Sequence, residues 1–184
     1  MISDALKSIT LLRPDLDTPI VRRAITFARE AHAGQWRENG APAFTHPLSV
    51  ARILAFSGAS EGTTIAGLLH DTVEDTAVTL ADIRRGFGSP VADLVALLTK
   101  PCNGVPPAVM GLALRPSWRT AAFHALHVKI ADRLDNMWTV AVLPRPRRMK
   151  LALESLRFLC PAADHVDPSV ATLLRRLSWR VVRA

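Results

Sequence analysis

Helical periodicity runs almost the whole length of this chain and leaves little room for any other kind of fold. "TPIVRRAITFAREAH" puts Ile20, Ala24, Phe27 and Ala31 on one stripe, with Asp17 or Thr18 able to cap its start. "HPLSVARILAFSG" repeats the pattern through Leu48, Ala51, Leu54 and Ala55 and stops at Gly58. "GTTIAGLLHDTVEDT" holds a third helix with Ile65, Leu68 and Leu69 inward. "TLADIRRGFG" begins at a capping Thr79 and ends at Gly88, and "SPVADLVALLTK" has Ser89 as its N-cap and Pro90 at the first helical position. Pro101, Pro106, Pro107 and Pro116 break the pattern over 101–116, the one long loop. Periodicity resumes around Trp118 through "HALHVKIADRLDNMWTVAVL", is punctuated by Pro144 and Pro146, and closes with "RRMKLALESLRFLC" and "PSVATLLRRLSWRVV". No alternating strand pattern, internal repeat or low-complexity segment interrupts it. The expectation is all-α: a single helical-bundle domain over residues 1–184.

A chain of 184 residues, 49% hydrophobic and 21% charged, is long enough to bury a sizeable core. The longest stretch without a charge, Pro101–Leu114, carries three prolines and two glycines, which makes it a loop and excludes a membrane span. The N-terminus has an acid at Asp4 and no leading basic cluster, against a secretory signal. Cys102 and Cys160 are the only cysteines, which fits a reduced, cytoplasmic setting. Charge is uneven: nine basic and three acidic residues after Ala141 hold +6 of the net +7. Such a basic end, with a helix at about 168–182, can attract an anionic substrate, a nucleic acid or an acidic partner. Its ordinary outcome is a solvated arginine face.

The chemistry-bearing residues are His46, the adjacent His70 and Asp71, and Asp132, in "FTHPLSVARIL", "GLLHDTVEDT" and "VKIADRLDNM". Two imidazoles and two carboxylates suit a divalent metal. Glu74 and Asp75 follow one turn beyond His70 and Asp71, and three acids this close repel one another unless a cation sits among them. Taken singly, each has a bland reading: an HD pair as a capping cluster, His46 as structural, Asp132 paired with Arg133, Lys129 or a neighbouring helix, Asn136 as a surface amide. Taken together they point to metal-assisted hydrolysis, in which a metal activates water and neutralises phosphate oxygens, with Glu74 or Asp75 orienting the water or taking its proton. This donor set leaves manganese, iron, cobalt and zinc open.

The segments "AREAHAGQWRENGAPAFTHPLSVARIL", "GLLHDTVEDTAVTLADIRRGFGSPVADLVALLTK" and "VKIADRLDNMWTV", in that order, resemble the hydrolase half of the RelA/SpoT homologue family over residues 20–160. The short length resembles its stand-alone small alarmone hydrolases. The resemblance implies the HD-domain fold and a manganese-dependent hydrolase that removes the 3′-pyrophosphate from (p)ppGpp. It matches His46, His70, Asp71 and Asp132 to the metal ligands, Glu74 and Asp75 to the acids that serve the water, and Arg37, Asn136 and Thr139 to nucleotide contacts. His32 matches a further family position without an assigned role; a packed histidine is its ordinary reading. The remaining residues are too few for a synthetase domain, so degradation without synthesis is expected.

Four departures from the family pattern bear on the nucleotide rather than on the ligands. Glu38 stands where lysine is usual, Ala43 where an aromatic is usual and Trp138 where arginine is frequent, and the 101–116 loop is unlike the family's. They keep a second function in view, an HD-type phosphohydrolase acting on an adenosine analogue or a nucleotide phosphomonoester. A third, a non-enzymatic nucleic-acid binder using the basic end, is disfavoured by the clustered ligand set. The expected partner is a small nucleotide, with neither membrane nor nucleic acid; no oligomeric state is readable.

Overall fold

The computed structural model describes residues 2–99 and 119–184. The expected proline-rich loop at 101–116 and Cys102 lie outside the described residues, which contain no β-strand; a single isolated bridge joins Trp36 and Pro42. The helices are α1 (Ile2–Thr10), α2 (Pro19–Ala31), α3 (Thr45–Phe56), α4 (Glu61–Leu69), α5 (Thr72–Asp75), α6 (Leu80–Phe87), α7 (Ser89–Leu98), α8 (Arg119–Thr139), α9 (Arg145–Glu154), α10 (Cys160–Ala163) and α11 (Pro168–Arg183). The fold class is therefore the all-helical one expected, and no helix among the described residues is long and apolar enough to cross a membrane.

Local chemistry sets most boundaries as expected. The Thr18 hydroxyl accepts from Val21 N and caps α2, and Thr79 with Asp82 forms a reciprocal capping box on α6. Gly58 and Gly88 end their helices at φ 73° and 85°, a left-handed turn that a side chain would strain. The exception is Ser89. Gly88 closes α6 and opens α7 directly, with no side-chain cap, so Ser89 is the first helical residue rather than the N-cap.

Three further differences have packing reasons. On α2 the fully buried residues are Val21, Ala24, Ile25 and Ala28, which include the expected Ala24 and lie one position round from Ile20 and Phe27, themselves packed half-buried against the core. Both stripes are apolar, and contact with α1 and α4 selects between them. α1, which the periodicity reading passed over, buries Ile9 completely. The third expected helix is broken at His70–Asp71: the Thr72 hydroxyl donates to Leu69 O (2.7 Å) and His70 Nδ1 to Gly67 O (2.9 Å), so side chains take carbonyls from the last turn of α4. Similarly, α9 widens into a π-helical turn at Ser155–Leu159 before α10.

The centre of the molecule is where α3, α4 and α8 pack on one another, with α7 behind. Leu54, Ile65, Leu68, Leu69, Ile130 and Leu134 are fully buried there, each contributing roughly 1.5–3 kcal/mol by leaving water. α3 and α4 approach closely because of Gly67: a Cβ at that position would stand 2.4 Å from Leu54 Cδ1 and 3.4 Å from Val50 Cγ1. Leu54 is itself fully buried, so any rotation that makes room must displace its neighbours. On the far end of α8, His127 and His124 are satisfied by Ser57 (2.6 Å) and Thr63 (2.8 Å). The α11 arginines stay outward as a solvated face, Arg175 on Asp164 (2.7 Å) and Arg183 over Trp179. Gly67→Ala is expected to lower the unfolding free energy by about 1–3 kcal/mol, as overpacking does; urea titration measures it, and an unchanged midpoint would mean that α3 and α4 are free to separate.

Candidate metal centre

His46 lies in the first turn of α3, His70 at the end of α4, Asp71 before α5 and Asp132 in the middle of α8. The packing of those helices brings all four together. His46, His70 and Asp132 each present a ligand atom, all within 4.8 Å of one another. His46 Nε2 is 3.2 Å from Asp132 Oδ1 and 3.4 Å from Asp71 Oδ2; His70 Nε2 is 3.1 Å from Asp71 Oδ1 and 4.0 Å from Asp132 Oδ1. Asp71 stands at a helix N-cap position without capping it, its carboxylate divided between the two rings instead.

These separations suit one ion. Ligands held ~2.1 Å from a shared cation lie ~3–4 Å from each other. His70 Nε2 supplies a second test. It is buried and has no hydrogen bond among the described residues despite the carboxylate 3.1 Å away, because the two approach without the alignment a hydrogen bond needs. A buried lone pair aimed among carboxylates is what a cation satisfies. The donor on His70 Nδ1 is spent on Gly67 O, which leaves Nε2 as the candidate ligating atom.

Glu74 and Asp75 occupy α5 immediately after Asp71, Glu74 half-buried and Asp75 exposed. The loop between α2 and α3 reaches them: Gln35 Nε2 donates to Asp75 O (2.7 Å), and Gln35 Oε1 meets His32 Nδ1 (2.8 Å). His32 thus stays outside the ligand set, as a buried residue steadying this loop. In the same loop Arg37 N donates to Ala41 O (2.8 Å) and Gly40 N to Arg37 O (2.9 Å), a tight turn that aims Arg37 at α8. Arg37 donates to Asp135 Oδ2 (2.8 Å), Thr139 Oγ1 (3.2 Å) and Asn136 Oδ1 (3.4 Å), while Asn136 Nδ2 donates to Asp132 Oδ1 (2.7 Å). The three residues matched to the nucleotide therefore form one group beside the ligands.

Asp135 is the residue sequence reasoning missed. It is buried and receives His46 Nδ1 on Oδ2 at 2.7 Å. The available signal was its spacing: Asp132, Asp135, Asn136 and Thr139 share one helix face. Arg133, by contrast, turns away to Leu151 O (2.9 Å) and Glu154, so it is not the partner of Asp132.

Two departures find their places. Glu38, beside Arg37, is paired with Arg147 from the basic C-terminal stretch. Trp138 is half exposed and lines another cleft, with Ser49, Arg52, Phe56 and Leu173.

Electrostatics couples the site to pH. For His46, burial opposes the charged form, but hydrogen bonds to Asp132 and Asp135 and the charges of Asp132 and Asp71 outweigh it and raise the pKa to about 9. At Asp132 burial likewise opposes ionisation; the His46 hydrogen bond and the nearby His70 prevail and hold its carboxyl below the usual range. Asp135 is lowered too, with burial overcome by His46, Ser49 and Arg37. A raised folded-state pKa stabilises the fold below the ordinary 6.5 and loses that contribution as pH rises through about 9. Chelator-treated protein should lose up to about 3 kcal/mol of unfolding free energy between those limits. Urea titrations across that range check it, and His46→Gln should flatten the profile.

Several known proteins resemble this chain. A family model described as the HD domain matches residues 24–102. A probable GTP pyrophosphokinase of Mycobacterium leprae is 39% identical over 173 residues, 92% of this chain and 22% of the relative. A GTP pyrophosphokinase of Streptomyces coelicolor is 40% identical over 166 residues, 83% of this chain and 19% of the relative. The chain thus spans about a fifth of the length of these relatives. Among solved structures, a metazoan orthologue of SpoT that hydrolyses ppGpp superposes with a TM-score of 0.75 at 22% identity, covering 89% of this chain and 96% of that one, which establishes the shared fold.

Proposed function

We propose, from its place as an HD-domain member of the RelA/SpoT homologue family, that this chain is a manganese-dependent hydrolase that removes the 3′-pyrophosphate from (p)ppGpp. The observation that carries the reading is the meeting of His46, His70, Asp71 and Asp132 at ion-sharing distances, with a buried His70 nitrogen left unsatisfied. The solved ppGpp-hydrolysing relative of the same fold supports the substrate class. The synthetase activity in the names of the longer relatives belongs to those proteins.

In this reading His46, His70, Asp71 and Asp132 hold the ion. A bound divalent cation supplies Lewis-acid activation of water and neutralises phosphate charge. Glu74 and Asp75 orient the water and take its proton. The water oxygen bonds to the phosphorus on the 3′-oxygen, the 3′-O–P bond breaks, and that oxygen is protonated as pyrophosphate leaves. Arg37, Asn136 and Thr139 hold the nucleoside side, and Arg147 cancels the Glu38 carboxylate that would otherwise face an anionic substrate. As an exposed ion pair it adds little stability; its effect is on the local field.

With manganese, ppGpp should yield GDP and pyrophosphate in an assay run beside an adenosine analogue and nucleotide monoesters. Cleavage of one of those while ppGpp stays intact would move the assignment to the other phosphohydrolases. Glu74→Gln should lower kcat by about 10²–10⁴ with KM little changed, as loss of a general base does. Arg147→Gln should raise KM for ppGpp and leave kcat alone, an effect that fades at high salt; steady-state kinetics at two ionic strengths reads both.

A further inference from the structure

Asp135 has no part in the reaction as described so far, yet it stands at the junction of its two halves. One oxygen, Oδ2, accepts from His46 Nδ1 (2.7 Å) and from Arg37 Nη1 (2.8 Å). From there the contacts return on themselves. Arg37 reaches Asn136 (3.4 Å), Asn136 donates to Asp132 (2.7 Å), and Asp132 Oδ1 meets His46 Nε2 (3.2 Å). The candidate ligands and the candidate nucleotide contacts therefore lie on one closed ring of side chains.

We propose that Asp135 is a positioning residue that fixes His46 for metal binding and links the strength of that binding to Arg37. The proposal rests on the reading of His46 as a ligand. His46 and His70 are anchored differently. His70 Nδ1 donates to a neutral carbonyl, Gly67 O, whereas His46 Nδ1 donates to a buried carboxylate. A carboxylate behind an imidazole fixes the tautomer, leaves Nε2 to face the ion and makes it the stronger donor. The Arg37 guanidinium on the same oxygen draws off part of that charge. A nucleotide whose nucleoside side engages Arg37 and draws it off Asp135 returns it, so substrate and metal each strengthen the other's binding, as linkage requires.

The test is calorimetric titration of manganese into the chelator-treated full chain, with no substrate and no turnover. Asp135→Asn keeps the shape and removes the charge; it should weaken manganese binding by about 10- to 100-fold, the usual effect of losing such a support. Arg37→Gln should act in the opposite direction and tighten it, because a positive charge leaves the carboxylate. A merely structural network would weaken in both variants, and that result, or unchanged affinity in Asp135→Asn, overturns the proposal. Should Asp135→Asn fail to fold, the sign of the Arg37→Gln effect decides alone. Absence of divalent binding in the wild-type chain would instead remove the metal reading itself, and this proposal with it.

Discussion

The close approach of α3 and α4 at Gly67 is the constraint on which the rest of this structure depends. With no side chain there, the α4 backbone lies against Leu54 and Val50. The His46 and His70 rings then stand 5.1 Å apart, edge to face. The same glycine offers its carbonyl to His70 Nδ1, so one residue sets both the helix separation and the ring orientation. α8 crosses the pair and adds Asp132 and Asp135 from a single face. An apolar core thus carries two buried histidines and their acids to one point.

That point is costly to build. Buried charged groups are tolerated only when paired and hydrogen-bonded. Here Asp135 is held by His46 and Arg37, and Asp132 by His46 and Asn136. The hydrogen bonds to Asp132 and Asp135 and the charges of Asp132 and Asp71 outweigh burial at His46 and raise its pKa to about 9. In the proposed reading a divalent ion would take the place between these groups and would also engage His70 Nε2, which has no hydrogen bond among the described residues.

Some of this was legible in the residue order and some was not. The caps Thr18 and Thr79 and the stops Gly58 and Gly88 act through neighbours in sequence, and they stand where local chemistry puts them. The α2 stripe does not, because that helix is apolar on two adjacent faces and only its neighbours choose between them. The break at His70–Asp71 turns on side chains competing for carbonyls, which periodicity does not register. Arg37, Asn136 and Thr139 were grouped by family likeness; their meeting depends on a loop about 100 residues from α8 in sequence, and the hydrogen bond from Arg37 to Asp135 joins residues 98 positions apart. Glu38 read alone is a misplaced negative charge, until Arg147 is found beside it.

The sequence by itself determined an all-helical chain, the ends of several helices, and the residue types of a candidate metal site, because these follow from side-chain periodicity, capping and donor chemistry within a few residues. Only the tertiary structure decided which apolar face of α2 is core, that Asp135 stands behind His46, and that Arg147 answers Glu38. Those outcomes depend on distances between groups far apart in the chain, and such distances are set when helices pack, by steric fit at positions such as Gly67 and by the need of every buried charge for a partner.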